Sequence, residues 1–287
     1  MEWEGAKRFV IVLLVVLNAI LAGLNISQGQ KNTMTAAQEK AIFEVLSQNG
    51  ITMYTNLKTD KDPMYRFEAN VPSYAKEDLE ATIFDGEKTR VSLGTQILYK
   101  TDTKTLVLEG DRGTFTDATI QRGLGELVRE DAIEIAEQNM EKMKDLFGDY
   151  KLNYVSEGED GWVVEFCSTL QEEVIFSNEV TFFVSNMGVY QIDFTYCEIT
   201  GTSEQKKEIC FVDEALMTFM REWKTRNGEA SHATVQRIEL GYDLMEQGNV
   251  VAGTSLYLEP CYRIYTMEEK EPYLVNAYTC QIVKKGV

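Results

Sequence analysis

Histidine is nearly missing from this chain: His232 is the only one in 287 residues. That removes most histidine-based metal and acid–base constellations. Five cysteines occur, at 167, 197, 210, 261 and 280, but no Cys-x-x-Cys, so zinc-knuckle and thioredoxin-like readings fail. Proline contributes four positions. Positive charge is scarce, with 28 Lys+Arg against 46 Asp+Glu and a net charge of −18. A duplex partner wants a basic patch that releases counterions, so nucleic acid is not an expected partner. What is present is globular: 44% hydrophobic and 26% charged residues, at a length that allows one or two domains and a sizeable core. The composition points to binding rather than catalysis.

The clearest signal lies in the first thirty residues. No charge occurs from Phe9 to Gln30, and the stretch from Phe9 to Ile26 is almost wholly apolar. As a helix it rises about 27 Å, close to a bilayer core of roughly 30 Å. Lys7 and Arg8 precede it, and the next cation is Lys31. The positive-inside rule then puts residues 1–8 in the cytoplasm, a transmembrane helix at 9–29, and the remainder outside. Trp3 suits the cytoplasmic interface. A cleaved signal peptide is the rival reading, with Ser27-Gln28-Gly29 as a weak small-x-small site. The apolar run exceeds the usual h-region of about 7–15 residues, which favours a retained anchor.

Polar and small residues inside this helix share faces. Asn18, Ala22 and Asn25 are spaced i, i+4, i+7, and Ala19 with Gly23 forms a neighbouring small-xxx-small pair. An amide in hydrocarbon seeks a hydrogen-bond partner, and small residues let another helix approach closely. The expected site is therefore a helix–helix interaction face of Asn18, Ala19, Ala22, Gly23 and Asn25. The bland alternative is that Asn25 reaches the outer interface and Asn18 is tolerated.

Beyond the anchor, the pattern reads as α+β. Thr35 to Gln38 forms a capping box; Ala41, Ile42, Val45 and Leu46 follow at helical spacing, and Asn49-Gly50 stops the helix. Strands are predicted at 51–56, 64–69, 79–84 and 106–108. A second stripe of Val128, Ala132, Ile135, Ala136, Asn139, Met143, Leu146 and Phe147 predicts a helix. Strands at 151–155, 162–167, 174–176, 180–184 and 189–196 follow it. In the last of these Tyr190, Ile192, Phe194 and Tyr196 alternate with Gln191, Asp193 and Thr195, marking a sheet with one buried face. A third stripe of Val212, Ala215, Leu216, Phe219, Met220 and Trp223 ends at Asn227-Gly228. Strands at 235–240, 254–258, 262–265 and 273–280 complete the pattern. The expected fold is repeated helix-plus-antiparallel-meander units: a first outer domain at 30–120, and a second at 121–287 built from units 121–205 and 206–287.

Several local features carry a sharp and a bland reading. Gly123-Leu124-Gly125 has the look of a phosphate loop, but the third glycine and a βαβ context are missing. Glu157 to Gly161 clusters three carboxylates in a predicted hairpin turn without EF-hand spacing. Cys261 and Cys280 could pair in a disulfide, or be small buried hydrophobes. His232 fits a polar loop better than a Cys–His nucleophile. Tyr257, Tyr262, Tyr265, Tyr273 and Tyr278 fit cross-strand packing, or line a groove for a ligand or protein. No catalytic, cofactor or metal residues are assigned.

Two short motifs and the order of elements carry a family resemblance. Met1-Glu2-Trp3, then Lys7-Arg8 and one apolar helix, resembles the start of YycI-type regulatory proteins. Pro260-Cys261-Tyr262-Arg263-Ile264-Tyr265, an acidic turn, then Tyr273-Leu274-Val275-Asn276-Ala277-Tyr278-Thr279 resembles that family's closing hairpin. The chain departs from the pattern where Glu2 stands for Asp, Tyr262 for Trp and Cys280 for Gly; the last removes a turn residue. The resemblance implies a single-pass protein of low-GC Gram-positive bacteria. Such proteins act with a YycH-type partner on the sensor histidine kinase of an essential two-component system governing cell-wall metabolism, partly through transmembrane helix contacts. The expected role is thus a membrane-anchored extracytoplasmic regulator, not an enzyme. The alternative is a binding or inhibitory module resembling the PepSY domains, holding a peptide or cell-wall fragment against its sheet.

Overall fold

The computed structural model describes residues 34–57, 62–70, 82–84, 88–123, 125–245 and 255–283. The fold is α+β, with few helices and a large, mostly antiparallel sheet content. Among the described residues no helix is long and apolar enough to cross a membrane. The predicted anchor at 9–29 lies outside them, and with it Asn18, Ala19, Ala22, Gly23 and Asn25.

The chain divides into two compact units interleaved along the sequence. Unit 1 takes its described residues from the region up to Met64, from Glu208–Ile238 and from Ile264–Ile282. Helix α1 (Ala36–Gln48) begins with the expected capping box: Gln38 N–H donates to Thr35 Oγ1, and Thr35 N–H donates to Gln38 Oε1 at 2.8 Å. Its end runs through Gly50, whose φ of +81° and close approach to the Ser231 carbonyl suit only glycine. Strand β1 (Ile51–Met53) then pairs in parallel with Ala233, Thr234 and Val235.

Unit 1 also holds a long helix at Val212–Asn227 and the last hairpin. The helix buries Val212, Ala215, Leu216, Phe219 and Trp223, five of the six residues in the predicted stripe, and Met220 is half-buried. The Tyr273 ring meets Phe219 edge-on at 4.9 Å and Trp223 at 6.0 Å. The expected strand at 273–280 is shorter than predicted. It runs only over Tyr273–Asn276, because Asn276 Oδ1 turns the chain by accepting from the N–H groups of Tyr278 and Thr279 at 2.8 and 3.0 Å. Cys280, at φ +54°, occupies the left-handed conformation favoured by glycine, and Gln281–Ile282 pairs back onto the strand.

Unit 2 comprises Tyr65–Lys207 and Glu239–Arg263 in its described part. Strands β2 (Phe67–Asn70), β3 (Thr89–Leu93), β4 (Gln96–Lys100), β5 (Lys104–Glu109) and β6 (Arg112–Asp117) precede helices α2 (Arg129–Lys142) and α3 (Lys144–Phe147). The long strands β7 (Tyr150–Gly158), β8 (Gly161–Leu170), β9 (Glu173–Ser185) and β10 (Gly188–Thr195) and the short β11 (Glu198–Thr202) follow. The continuous ladder β3-β4-β5-β6-β10-β9-β8-β7 is antiparallel throughout. Helix α2 buries Ala132, Ala136 and Met140 in a core with Phe166, Val180, Phe182, Ile192 and Phe194. The long helix of unit 1, at Val212–Asn227, is α4, and β12 (Ala233–Leu244), β13 (Ser255–Thr266), β14 (Tyr273–Asn276) and β15 (Gln281–Ile282) end the chain.

Three further differences from the predicted elements have physical causes. Thr82 and Ile83 are helical rather than extended; an apolar run this short does not distinguish helix from strand. The predicted strands 174–176 and 180–184 are one strand, β9. The intervening Asn178 is buried and satisfied by Cys197, whose carbonyl accepts from its amide at 2.9 Å and whose N–H donates to Oδ1 at 2.8 Å. Likewise 254–258 and 262–265 merge as β13, across Pro260. Strands β3, β4 and β6 were not expected: threonine and charged residues interrupt β3 and β6, and β4 carries the continuous apolar run Ile97-Leu98-Tyr99 without alternation.

Candidate functional site

Alternation on β6, β9 and β10 gives unit 2 two chemically opposite sheet faces. One face supplies Phe115, Ile192, Phe182, Phe194 and Val180 to the core. Gly113 is required there, because a Cβ would clash with the Phe194 ring. The register places two polar rows on the other face. Thr114, Asp193 and Thr181 are cross-strand neighbours, as are Arg112, Thr195 and Glu179. These rows line a cavity of about 220 Å³.

Hydrogen bonds fix most of this surface. Thr195 Oγ1 donates to the Ser177 carbonyl at 2.9 Å, and Gln191 Nε2 donates to Asp193 Oδ2 at 2.9 Å. Asp193 Oδ1 is shielded from solvent and accepts no hydrogen bond from the described residues. Glu179 links the cavity to the buried Arg263. Arg263 Nη2 donates to Asp243 Oδ2 at 3.1 Å and to the Phe176 carbonyl at 3.2 Å, and Nη1 lies 3.9 Å from Glu179 Oε2. The guanidinium also sits 4.3 Å over the Phe176 ring. A buried cation needs this many partners to offset its desolvation.

The remaining predicted features fall into place as structure. Gly123 N–H donates to the Asp160 carbonyl at 2.8 Å, and a Cβ on Gly125 would press on Asn186; the glycines serve a packed turn. Glu159 and Asp160 stand at the tip of the β7–β8 hairpin, where Arg122 lies 3.3 Å from Asp160. His232 is exposed before β12. The tyrosines are engaged in packing: Arg66 over Tyr257 at 4.2 Å, Arg237 over Tyr265 at 4.0 Å, and Tyr278 Oη donating to the Met64 carbonyl at 2.8 Å.

All five cysteines are thiols. Burial pushes the Cys167 thiol well up, and its sulfur lies with oxygens of Glu165 and Glu179 such that all three atoms are within 4.8 Å of one another. Burial likewise pushes Cys197 up to about 12. Cys280 lies beside Cys210, with their sulfurs and a Glu214 oxygen all within 4.8 Å. Spacing gave no sign of that neighbourhood.

The cavity offers three hydroxyls, two carboxylates and a guanidinium. That inventory can bind through hydrogen bonds and charge, and no activated nucleophile is assembled among its lining residues. The class so defined is an α+β module with a polar sheet face. Comparison with known sequences makes it specific: the description "YycI protein" matches residues 29–278. The chain belongs to the YycI family, whose role is regulatory, in two-component signalling of cell-wall metabolism. No curated protein matches. Among solved structures, an uncharacterized protein from Eubacterium rectale ATCC 33656 is similar at TM-score 0.55 and 12% identity, over 83% of this chain and 92% of that one. That likeness concerns the fold. The C-terminal domain of YpeB from Bacillus megaterium aligns at TM-score 0.40 and 14% identity, over 75% of this chain and 96% of that one.

Proposed function

We propose that this chain is a membrane-anchored extracytoplasmic regulator that associates with a sensor histidine kinase and a homologous YycH-type partner. The observation that carries the reading is the family match over residues 29–278, following directly on a charge-free apolar run at its N-terminal side. Residues 9–29 span the bilayer with the N-terminus in the cytoplasm, and the α+β units lie outside. The face of Asn18, Ala22 and Asn25, with the close-approach pair Ala19 and Gly23, packs against a kinase or partner helix. The outer units dock the partner's ectodomain and bias the kinase between two states. Such a bias requires unequal contact energies in the two states, since equal binding shifts nothing.

The test is affinity purification of the full-length tagged chain from native membranes in mild detergent, followed by mass spectrometry. A variant with Asn18, Ala22 and Asn25 changed to leucine runs beside it. The expected result is a histidine kinase recovered with the wild type and lost from the variant, while both remain in the membrane fraction. Equal recovery of the kinase with both would refute the helix face, and a chain lacking residues 1–29 would refute the anchor.

A second reading rests on the cavity over β6, β9 and β10. The solvent-shielded Asp193 Oδ1, with no donor among the described residues, favours a polar ligand there, as in a PepSY-like module holding a peptide or wall fragment. Calorimetry of the purified protein with muropeptides, compared with Asp193→Ala, discriminates the two. Saturable heat abolished by the substitution supports the ligand reading; no heat opposes it.

A further inference from the structure

Unit 1 brings two thiols together that lie roughly 70 residues apart. Cys210 precedes α4, and Cys280 closes the turn after β14. The Cys210 N–H donates to the Ala277 carbonyl at 2.7 Å, so the backbone before α4 is already bonded to that turn. Thr218 Oγ1, two turns into the same helix face, donates to the Cys280 carbonyl at 3.0 Å and lies 3.9 Å from its sulfur. Both cysteines are half-buried, so small reagents can reach them.

We propose that Cys210 and Cys280 are a reversible dithiol–disulfide pair that clasps the start of α4 to the final turn. The proposal goes beyond the regulatory reading and stands whether or not a kinase is bound. Because the backbones are bonded, the closing movement is a rotation of the two side chains toward S–S bonding distance. Burial, the neighbouring Cys280 sulfur and the Glu214 charge push the Cys210 thiol upward. In the reaction with a small-molecule disulfide R–S–S–R, one thiol of the pair loses its proton as its sulfur attacks one sulfur of the reagent and expels R–S⁻, which takes a proton. The second thiol then loses its proton as its sulfur attacks the first, releasing the second R–SH. Two electrons pass from the cysteine pair to the oxidant, and thiol reductant reverses both steps.

A bound cation is the competing use of these atoms, since Glu214 completes a three-ligand cluster. Glu214 Oε2, however, already accepts from the Phe211 N–H at 2.9 Å to start α4. The pair alone is therefore the better fit.

The full-length chain is purified in detergent with reductant and EDTA, the reductant is removed, and the protein is incubated with oxidised glutathione. It is then denatured and alkylated with N-ethylmaleimide. The expected result is that two of the five thiols resist alkylation. Peptide mapping finds Cys210 linked to Cys280, dithiothreitol restores both thiols, and the thermal midpoint of the oxidised protein rises by roughly 5–10 °C. Cys210→Ser and Cys280→Ser each abolish the link and the rise, with reduced-state melting curves confirming that both variants fold. Glutathione retained on either cysteine with no link would overturn the proposal. So would full alkylation of both thiols after oxidation, or protection of both only in EDTA-free preparations carrying zinc.

Discussion

The helices α2 and α4 solve the same packing problem with opposite materials. Helix α2 presents Ala132, Ala136 and Met140 to the sheet core, so its backbone lies close and the sheet's own Phe166, Phe182 and Phe194 fill the space. Helix α4 instead carries its own bulk, inserting Leu216, Phe219 and Trp223 toward β14 and Tyr273. The difference teaches where each unit is vulnerable. At α4 the damage comes from removing volume, at α2 from adding it.

Phe219→Ala is expected to have the largest effect. The side chain is fully buried, and its loss costs about 3–5 kcal/mol through lost transfer energy and the cavity left behind; urea unfolding of the purified chain measures it. Ala136→Leu should be next, costing about 1–3 kcal/mol because the added carbons enter a filled core. If Ala136→Leu proved neutral while Phe219→Ala destabilised, the close approach assigned to α2 would be wrong.

A third effect appears at alkaline pH. Burial, reinforced by the hydrogen bond to Glu269, pushes the Tyr273 phenol up to about 12. The folded chain thus keeps a proton that the unfolded chain releases near the ordinary tyrosine value of about 10, so stability falls as pH rises from there toward 12. Tyr273→Phe should flatten part of that fall, read as urea midpoints at pH 8 and pH 11. Half-buried Tyr196 and buried Tyr190, also shifted upward chiefly by burial, account for slope that remains.

The smallest effect belongs to Cys280→Gly under reducing conditions. Relieving a left-handed residue returns about 1 kcal/mol, while the freer unfolded chain takes back roughly 0.4–1 kcal/mol. The net change in thermal midpoint should be only a few degrees. A large loss would mean that the sulfur's contacts hold the turn together.

How much of this was legible in the sequence depended on where side chains announce their surroundings. The α4 stripe was plain because six of its residues are bulky or apolar at helical spacing. The alternation of Tyr190, Ile192 and Phe194 with Gln191, Asp193 and Thr195 announced a two-faced strand, and the structure bears it out. Strand β3 is exposed along its whole length, so no buried face imprinted a period on it. Long-range pairing left no local mark either. Nothing in 51–53 says that it runs parallel to Ala233–Val235, and that pairing is part of what interleaves the two units along the chain. The candidate cavity was hidden for the same reason, since Thr114, Asp193 and Thr181 meet only through strand register. The missing glycine at position 280 was the exception. It flagged an unusual turn before the φ of +54° made the reason visible.

The central claim is that this chain regulates a kinase through its apolar N-terminal segment. The most direct measurement is kinase autophosphorylation after co-reconstituting the full-length chain, in lipid nanodiscs, with the histidine kinase that the affinity purification is expected to recover. The account predicts that the wild-type chain changes the autophosphorylation rate, and that the variant with leucine at positions 18, 22 and 25 leaves it at the kinase-alone value. Identical rates with wild type, variant and no added chain would contradict it.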